Sequence, residues 1–124
     1  MTEADARILN GRDILLVEDE ALIAMEIEMV LEAYGALIHG PIPDLPGATQ
    51  AAEAGHFDAA ILDVDLCGED VFPAAQVLQR RRVPFLFHTG HATRGELQRD
   101  YPDVPVCKKP MASDRLARCL AALI

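Results

Sequence analysis

The stretch "AAILDVDLCGED", residues 59–70, places Asp63 and Asp65 directly after a run of small and apolar residues. A short apolar run of this kind is typical of a strand that is buried on both faces of a parallel sheet. Four other runs have the length of a strand, namely "DILLV" at 13–17, "ALIHG" at 36–40, "PFLFH" at 84–88 and "VPVC" at 104–107. Helix-like segments separate the runs, and this alternation predicts an α/β fold with crossover helices on both faces of the sheet.

The length and charge of the chain restrict what it can be. A chain of 124 residues suits one domain, and we expect a flexible N-terminal segment over residues 1–11, a folded domain over residues 12–124 and no effector domain. The net charge of -9 opposes binding to nucleic acid. No apolar run approaches the roughly eighteen residues of a membrane span, so we expect no signal peptide and no membrane contact.

The three cysteines, Cys67, Cys107 and Cys119, show no spacing that is typical of a disulfide framework or a metal site. Reduced thiols are normal in cytoplasmic proteins. We therefore expect a cytoplasmic location and a packing role for these side chains.

The segment "EALIAMEIEMVLEAYG", residues 20–35, is the clearest helix, with apolar residues at helical spacing. Leu22, Met25 and Met29 form a second apolar stripe on it, which we expect to pack against the C-terminal helix, although docking of a partner is the alternative. A second helix should begin near Leu45 or Pro46. The C-terminal helix is predicted over about residues 112–123, with a face formed by Leu116, Leu120 and Leu123 and with Ser113 and Asp114 as capping residues.

The predicted strands end in polar side chains, and the carboxyl ends of parallel strands meet at one edge of a sheet. The strand-end residues are Glu18, Asp19, Asp63, Asp65, Thr89, Lys108 and Lys109. Carboxylates about 4 Å apart repel each other by about 4 kcal/mol at an effective dielectric constant of 20. Such a cluster needs a counter-ion, and Mg²⁺ prefers oxygen ligands. A carboxylate beside bound Mg²⁺ can attack phosphorus, and Asp63 is the natural nucleophile.

The motifs "LLVEDE", "AILDVDL", "FHTG" and "CKKP" resemble, in order and spacing, those of the receiver domains of two-component response regulators. The resemblance covers nearly the whole chain. It implies a flavodoxin-like, doubly wound, five-stranded parallel sheet with strand order 2-1-3-4-5 and five helices.

The resemblance also implies a role for each matching residue. Asp63 would be the phosphoacceptor and also a metal ligand. The other implied metal ligands are Asp19, Glu18 through water, and Asp65 through its backbone carbonyl. Thr89 would supply the switch hydroxyl and Lys109 the phosphoryl-binding ammonium. The bond between Lys109 and Pro110 is usually cis in this family. Lys108 is interpreted as a surface residue, because neighbouring strand side chains point to opposite sides.

Two positions depart from the family pattern. Val106 occupies the position where most receivers carry an aromatic ring that moves during activation. The stretch "VPFLFHTGHA" resembles a subclass with a Phe-Ala-Thr-Gly motif, which also lacks that ring and often consists of isolated receivers, but His88 replaces the alanine.

His91 is interpreted as a loop histidine, with a place at the mouth of the site as the alternative. The fourth helix should be short or mobile and should change most on phosphorylation.

The resemblance implies a single-domain response regulator that accepts a phosphoryl group on Asp63 from a sensor histidine kinase or a phosphotransfer protein. It would then bind a downstream protein or act as a phosphate sink, as a monomer or weak homodimer. It would be a signalling protein and not an enzyme, apart from its own phosphorylation and slow autodephosphorylation. One alternative is a small haloacid-dehalogenase-like phosphatase in which both Asp63 and Asp65 act. A second alternative is a pseudo-receiver that docks independently of phosphorylation.

Overall fold

The computed structural model describes residue 2 and residues 5–90 and 94–124. Its main sheet has five parallel strands, β1 (Asp13–Val17), β2 (Leu37–Ile42), β3 (Ala59–Leu62), β4 (Phe85–Thr89) and β5 (Val106–Lys108). The order across the sheet is 2-1-3-4-5 in these labels, which confirms the predicted topology. A small antiparallel hairpin, Asp65–Leu66 with Glu69–Asp70, follows β3. The change of direction in strand order therefore lies between β1 and β3.

Five α-helices connect or follow the strands in the described part of the chain. They are α1 (Ala21–Ala33), α2 (Leu45–Ala54), α3 (Phe72–Arg80), α4 (Arg94–Asp100) and α5 (Ser113–Ala121), and a 3-10 turn (Asp5–Arg7) precedes β1. Within the described ranges, none of these helices combines the length and the apolar composition that a bilayer crossing requires.

The sheet has a hydrophobic core on each face. Side chains alternate along a strand, so that Ile14 and Leu16 pack with α1 and α5, whereas Leu15 and Val17 pack with α2 and α3. All four of these side chains are fully buried. Burial of β1 on both faces explains why its sequence reads as a continuous apolar run.

The second apolar stripe of α1 lies in solvent, so the prediction that it packs against the C-terminal helix is wrong. Leu22, Met25 and Met29 are 80%, 55% and 66% exposed, whereas Ile27 and Leu31 are 2% and 0% exposed. Residues three and four apart share one face of a helix. The face of Ile27 and Leu31 takes up the contact with the sheet and with α5, which leaves the stripe on the outer side.

The start of α2 agrees with the prediction from the sequence, whereas the capping of α5 differs from it. The α2 helix begins at Leu45, as predicted, and the Asp44 carboxylate caps it by accepting a hydrogen bond from the Gly47 N–H at 2.8 Å. At α5 the cap residue is Ala112, which has no side chain able to accept such a bond. Ser113 is already the first helical residue and is buried. The prediction that Ser113 and Asp114 cap this helix is therefore wrong.

The N-terminal residues make contact with the rest of the domain. Leu9 is fully buried, and its backbone N–H donates to the Tyr34 carbonyl oxygen at 3.2 Å. Such contacts order a chain terminus. The boundary between residues 1–11 and 12–124 stays a prediction, and we infer from Leu9 that residues 5–11 fold with the domain.

The α4 helix is short, as predicted, with seven residues. Leu97 and Tyr101 anchor it, at 1% and 6% exposure. The Tyr101 ring lies 5.6, 6.1 and 5.2 Å, centroid to centroid, from Phe72, Phe85 and Phe87. The predictions for the loop before α4, including the one for His91, fall on residues 91–93 and lie outside the described residues.

Candidate functional site

The polar side chains that were predicted at the strand ends meet at the carboxyl edge of the sheet. Glu18 and Asp19 follow β1, Asp63 follows β3, Thr89 ends β4 and Lys109 follows β5. Glu18, Asp63 and Thr89 are 2%, 5% and 3% exposed. Buried charged groups are rare unless they are paired. This cluster is therefore the candidate site.

Backbone hydrogen bonds hold these residues in register. The Asp63 N–H donates to the Val17 carbonyl at 3.0 Å, which continues the pairing of β3 with β1 by one residue. The Lys109 N–H donates to the Thr89 carbonyl at 2.8 Å and extends the pairing of β5 with β4 in the same way. The peptide bond from Lys109 to Pro110 is cis, as the resemblance implies.

The Lys109 ammonium lies among three carboxylates. Its Nζ is 2.8 Å from Glu18 Oε1, 3.1 Å from Asp63 Oδ2 and 3.4 Å from Glu20 Oε1. The Lys109 and Glu18 side chains are 12% and 1% exposed, so water screens this pair poorly. The ammonium thus bridges β1 and β3 and compensates part of their negative charge.

The protonation equilibria of the cluster reflect its crowding. Burial, together with the hydrogen bond and the negative charge of Glu18, raises the pKa of Asp63 to about 8 against the opposing effect of Lys109. Burial disfavours the Lys109 ammonium, yet the hydrogen bond that it donates to Glu18 and the charges of Asp63 and Glu18 raise the pKa of Lys109 overall. A carboxyl group in such surroundings needs more positive charge before it ionises at neutral pH.

The hairpin after β3 organises three of the acids through backbone N–H groups. Cys67 and Gly68 have positive φ angles of 54° and 89°, and this turn directs the Cys67 N–H to Asp19 Oδ2 at 3.1 Å. Burial raises the pKa of Asp19, but this hydrogen bond and the side-chain hydrogen bonds with Asp63 and Cys67 together outweigh burial, and the pKa is lowered. The Asp65 N–H donates to Asp63 Oδ1 at 3.3 Å, whereas Asp65 Oδ1 accepts from the Gly68 N–H at 2.8 Å. The Asp65 carboxylate is therefore engaged in the turn.

The carboxylates of this cluster supply the oxygen ligands that a hard divalent cation prefers. One carboxylate oxygen from each of Glu18, Asp19, Glu20 and Asp63 lies within 4.8 Å of the others. Mg²⁺ uses carboxylate oxygens and retained waters, and the adjoining cavity of about 120 Å³ is lined by Asp19, Glu20, Asp63, Asp65, Gly90 and Lys109. Residues and cavity fit Mg²⁺. Glu20 was missed in the sequence, although the run "VEDE" contains it.

The remaining predicted positions lie on β4 and β5, outside the lining of this cavity. Lys108 is exposed, on the surface where alternation predicts it. Thr89 is aligned with Lys108 in the pairing of β4 with β5. Val106 is aligned with Phe87 and belongs to the core that also contains Tyr101. The aromatic position of other receivers is thus filled by a partly buried aliphatic side chain.

The chain is similar to known regulators over most of its length. Transcriptional regulatory protein PdtaR of Mycobacterium tuberculosis is 33% identical over 99 residues, which are 79% of this chain and 47% of PdtaR. The chain thus spans about half the length of the curated relatives that it matches. No family model matches the sequence.

Solved structures extend the comparison to proteins of the same size. SdrG of Sphingomonas melonis Fr1 is 42% identical, with 94% of this chain and 97% of SdrG covered and a TM-score of 0.77. The receiver domain of sensor histidine kinase PA1611 of Pseudomonas aeruginosa PAO1, solved with a magnesium ion in its active-site cleft, is 28% identical, with 91% and 97% covered and a TM-score of 0.77. The fold, the strand-end residues and these similarities agree. The chain belongs to the receiver domains of two-component response regulators.

Proposed function

We propose that this receiver accepts a phosphoryl group on Asp63 from the phosphohistidine of a sensor histidine kinase or phosphotransfer protein. The observation that carries the proposal is the position of Lys109 Nζ, 3.1 Å from Asp63 Oδ2 and 2.8 Å from Glu18 Oε1. All three side chains are largely buried. An ammonium in this place can bind the oxygens of a phosphoryl group once Asp63 carries it. The same group holds the acids together before the reaction.

The chemistry is an in-line displacement. An Asp63 carboxylate oxygen forms the bond to phosphorus, while the bond from phosphorus to the imidazole nitrogen of the donor breaks and that nitrogen keeps the electron pair. The Asp65 N–H holds Asp63 Oδ1 at 3.3 Å, and Lys109 holds Oδ2, so the carboxylate has a fixed orientation. Both contacts reduce the orientational freedom that the reaction would otherwise have to remove.

A divalent cation fits this scheme. Glu18, Asp19 and Asp63 would hold it, with the Asp65 carbonyl as a further ligand and Glu20 at the rim. When bound, Mg²⁺ supplies positive charge that favours the ionised form of Asp63 and offsets the charge of phosphoryl oxygens. The pKa of Asp63, about 8 in its absence, gives a physical reason for Mg²⁺ dependence. The magnesium-bound PA1611 receiver supports the assignment by similarity.

The effect of phosphorylation on the rest of the domain would pass through β4. Thr89 is buried at the end of this strand, and we assign it the switch hydroxyl that turns toward a phosphoryl oxygen. Val106 offers no ring to follow that movement, so the change passes through the β4 backbone to α4, which Tyr101 anchors to Phe87 at 5.2 Å between ring centroids. SdrG has been solved in a BeF3-activated conformation. The downstream event is binding of a partner protein or drainage of phosphate from a phosphorelay in the cytoplasm.

Phosphorylation by acetyl phosphate and Mg²⁺, followed by intact mass, tests the proposal. We expect wild type and Asp65→Asn to gain one phosphoryl group and Asp63→Asn to gain none. Asp103→Asn, which changes an exposed carboxylate in the connection from α4 to β5, is the matched control. A phosphohistidine donor replaces acetyl phosphate in a second arm, because it is the donor that the proposal names.

Two outcomes would favour the alternatives. Turnover of small phosphoesters that disappears in Asp65→Asn would indicate a phosphatase, although the hydrogen bond of the Asp65 carboxylate with Gly68 at 2.8 Å argues for a structural use of that group. Absence of a phosphoryl adduct with both donors would indicate a pseudo-receiver that docks without phosphorylation.

A further inference from the structure

A second cavity lies behind Lys109, on the α1 and α5 side of the sheet. It has a volume of about 120 Å³ and is lined by Ile23, Glu26, Ile27, His88, Lys109, Pro110, Met111 and Ser113. Lys109 also lines the acidic cavity and so forms a wall shared by the two spaces. A cavity of this size has room for about four waters, or for a ligand somewhat smaller than benzene, which a cavity of about 150 Å³ binds.

His88 is the unusual residue of this cavity. It is 3% exposed, and among the described residues neither Nδ1 nor Nε2 has a hydrogen-bond partner. Buried polar atoms are nearly always paired, because an unpaired one loses its bond to water without replacement. Burial, and then the positive charge of Lys109, lower the pKa of His88, so the ring is neutral and keeps a lone pair. The cavity therefore contains a hydrogen-bond acceptor to which no described residue donates.

The charges around the cavity are mainly negative. Glu26 is exposed at its rim and forms no hydrogen bond or ion pair with any residue in the described ranges. Glu18 and Glu20 lie on the other side of Lys109, and the Lys109 ammonium is already engaged with both at 2.8 and 3.4 Å. An anion would be repelled by these three carboxylates, whereas a cation would be attracted by them and repelled by Lys109.

We propose that the cavity binds a small alkylammonium cation. The ammonium group donates hydrogen bonds to a ring nitrogen of His88 and to the Glu26 carboxylate, and the alkyl chain lies against Ile23, Ile27 and Met111. Charge, the free acceptor and the apolar wall each match one part of such a ligand. The volume limits the ligand to about four to six non-hydrogen atoms. Binding through so few atoms is expected in the millimolar range.

Titration of ¹⁵N-labelled protein with n-butylammonium chloride tests the proposal by NMR. The titration is done at constant ionic strength and with excess Mg²⁺, so that the acidic cavity is occupied. 1-Butanol and butyrate serve as neutral and anionic ligands of similar size. We expect saturable shifts at Ile23, Ile27 and Ser113 with butylammonium, weaker binding of butanol and none of butyrate.

Three variants locate the site. Glu26→Gln should weaken butylammonium binding about threefold, as for an exposed ion pair, and His88→Leu should weaken it about tenfold through loss of the acceptor. Glu32→Gln, which changes another exposed acid of α1, is the matched control and should bind as wild type does. The proposal would be overturned if butanol bound as tightly as butylammonium, or if butylammonium did not bind. It would also be overturned if the shifts were confined to Glu18 and Asp63, or if Glu26→Gln left the affinity unchanged.

Discussion

Replacement of Asp63 by asparagine should stabilise the unphosphorylated, metal-free protein. Asp63 is 5% exposed, and its carboxyl group lies close to those of Glu18, Asp19 and Glu20. At an effective dielectric constant of 20, each like-charged neighbour within 4.8 Å raises the energy of the ionised form by about 3.5 kcal/mol. One ammonium, on Lys109, offsets part of this repulsion. Asparagine keeps the shape and removes the charge.

The size of the effect follows from proton linkage. The pKa of Asp63 rises from 3.8 to about 8 on folding. The stability that this shift contributes to the wild type is therefore fully present below pH 3.8 and is lost as the pH rises through 8. Each pH unit in this window removes about 1.4 kcal/mol from the wild type and nothing from Asp63→Asn. The loss approaches about 4 kcal/mol at pH 7. Because the amide binds Lys109 less strongly, we expect a net gain of about 2 to 4 kcal/mol.

Urea unfolding of both proteins with EDTA at pH 5, 6, 7 and 8 measures this difference. Asp103→Asn should match wild type within about 0.5 kcal/mol. A second series with Mg²⁺ should stabilise the wild type more than Asp63→Asn, because one metal ligand is missing in the variant. An Asp63→Asn protein that is less stable than wild type, or a difference that stays constant from pH 5 to pH 8, would refute the reasoning.

Three further predictions concern residues at or beside the site. Lys109→Met should lower the free energy of unfolding by about 3 kcal/mol at pH 7, because buried carboxylates lose their counter-charge, and an unchanged urea midpoint would contradict this. His88→Leu should be at least as stable as wild type at pH 8. Its advantage in free energy of unfolding should grow by up to about 1.4 kcal/mol per pH unit as the pH falls below 6.5, the pKa of histidine in the unfolded chain. The sign follows because burial lowers the pKa of His88 in the folded state, so protons bind the unfolded chain first; parallel stability curves from pH 8 to pH 5 would exclude it. Gly40→Ala should cost about 1 to 3 kcal/mol, because φ is +119° and the new Cβ would clash with the Leu16 carbonyl oxygen; a thermal midpoint equal to that of wild type would contradict this.

The candidate site was predictable where its chemistry depends on strand ends. Glu18, Asp63 and Lys109 each follow an apolar run, and the geometry of a parallel sheet brings such positions to one edge. Glu20 was less predictable because it belongs to the start of α1, and only the fold shows that its carboxylate turns back to Lys109 at 3.4 Å. That neither His88 nitrogen has a hydrogen-bond partner within residues 5–90 and 94–124 could not be found from the sequence.

The sequence by itself determined the alternation of strands and helices, the family resemblance and the acids that meet at the edge of the sheet. These features depend on local periodicity and on residue type at strand ends, both of which can be read along the chain. Only the tertiary structure decided that Leu22, Met25 and Met29 face solvent and that His88 faces an open cavity. Both depend on how α1 and α5 pack against the sheet. That packing is fixed by distances between residues far apart in sequence, which no local pattern contains.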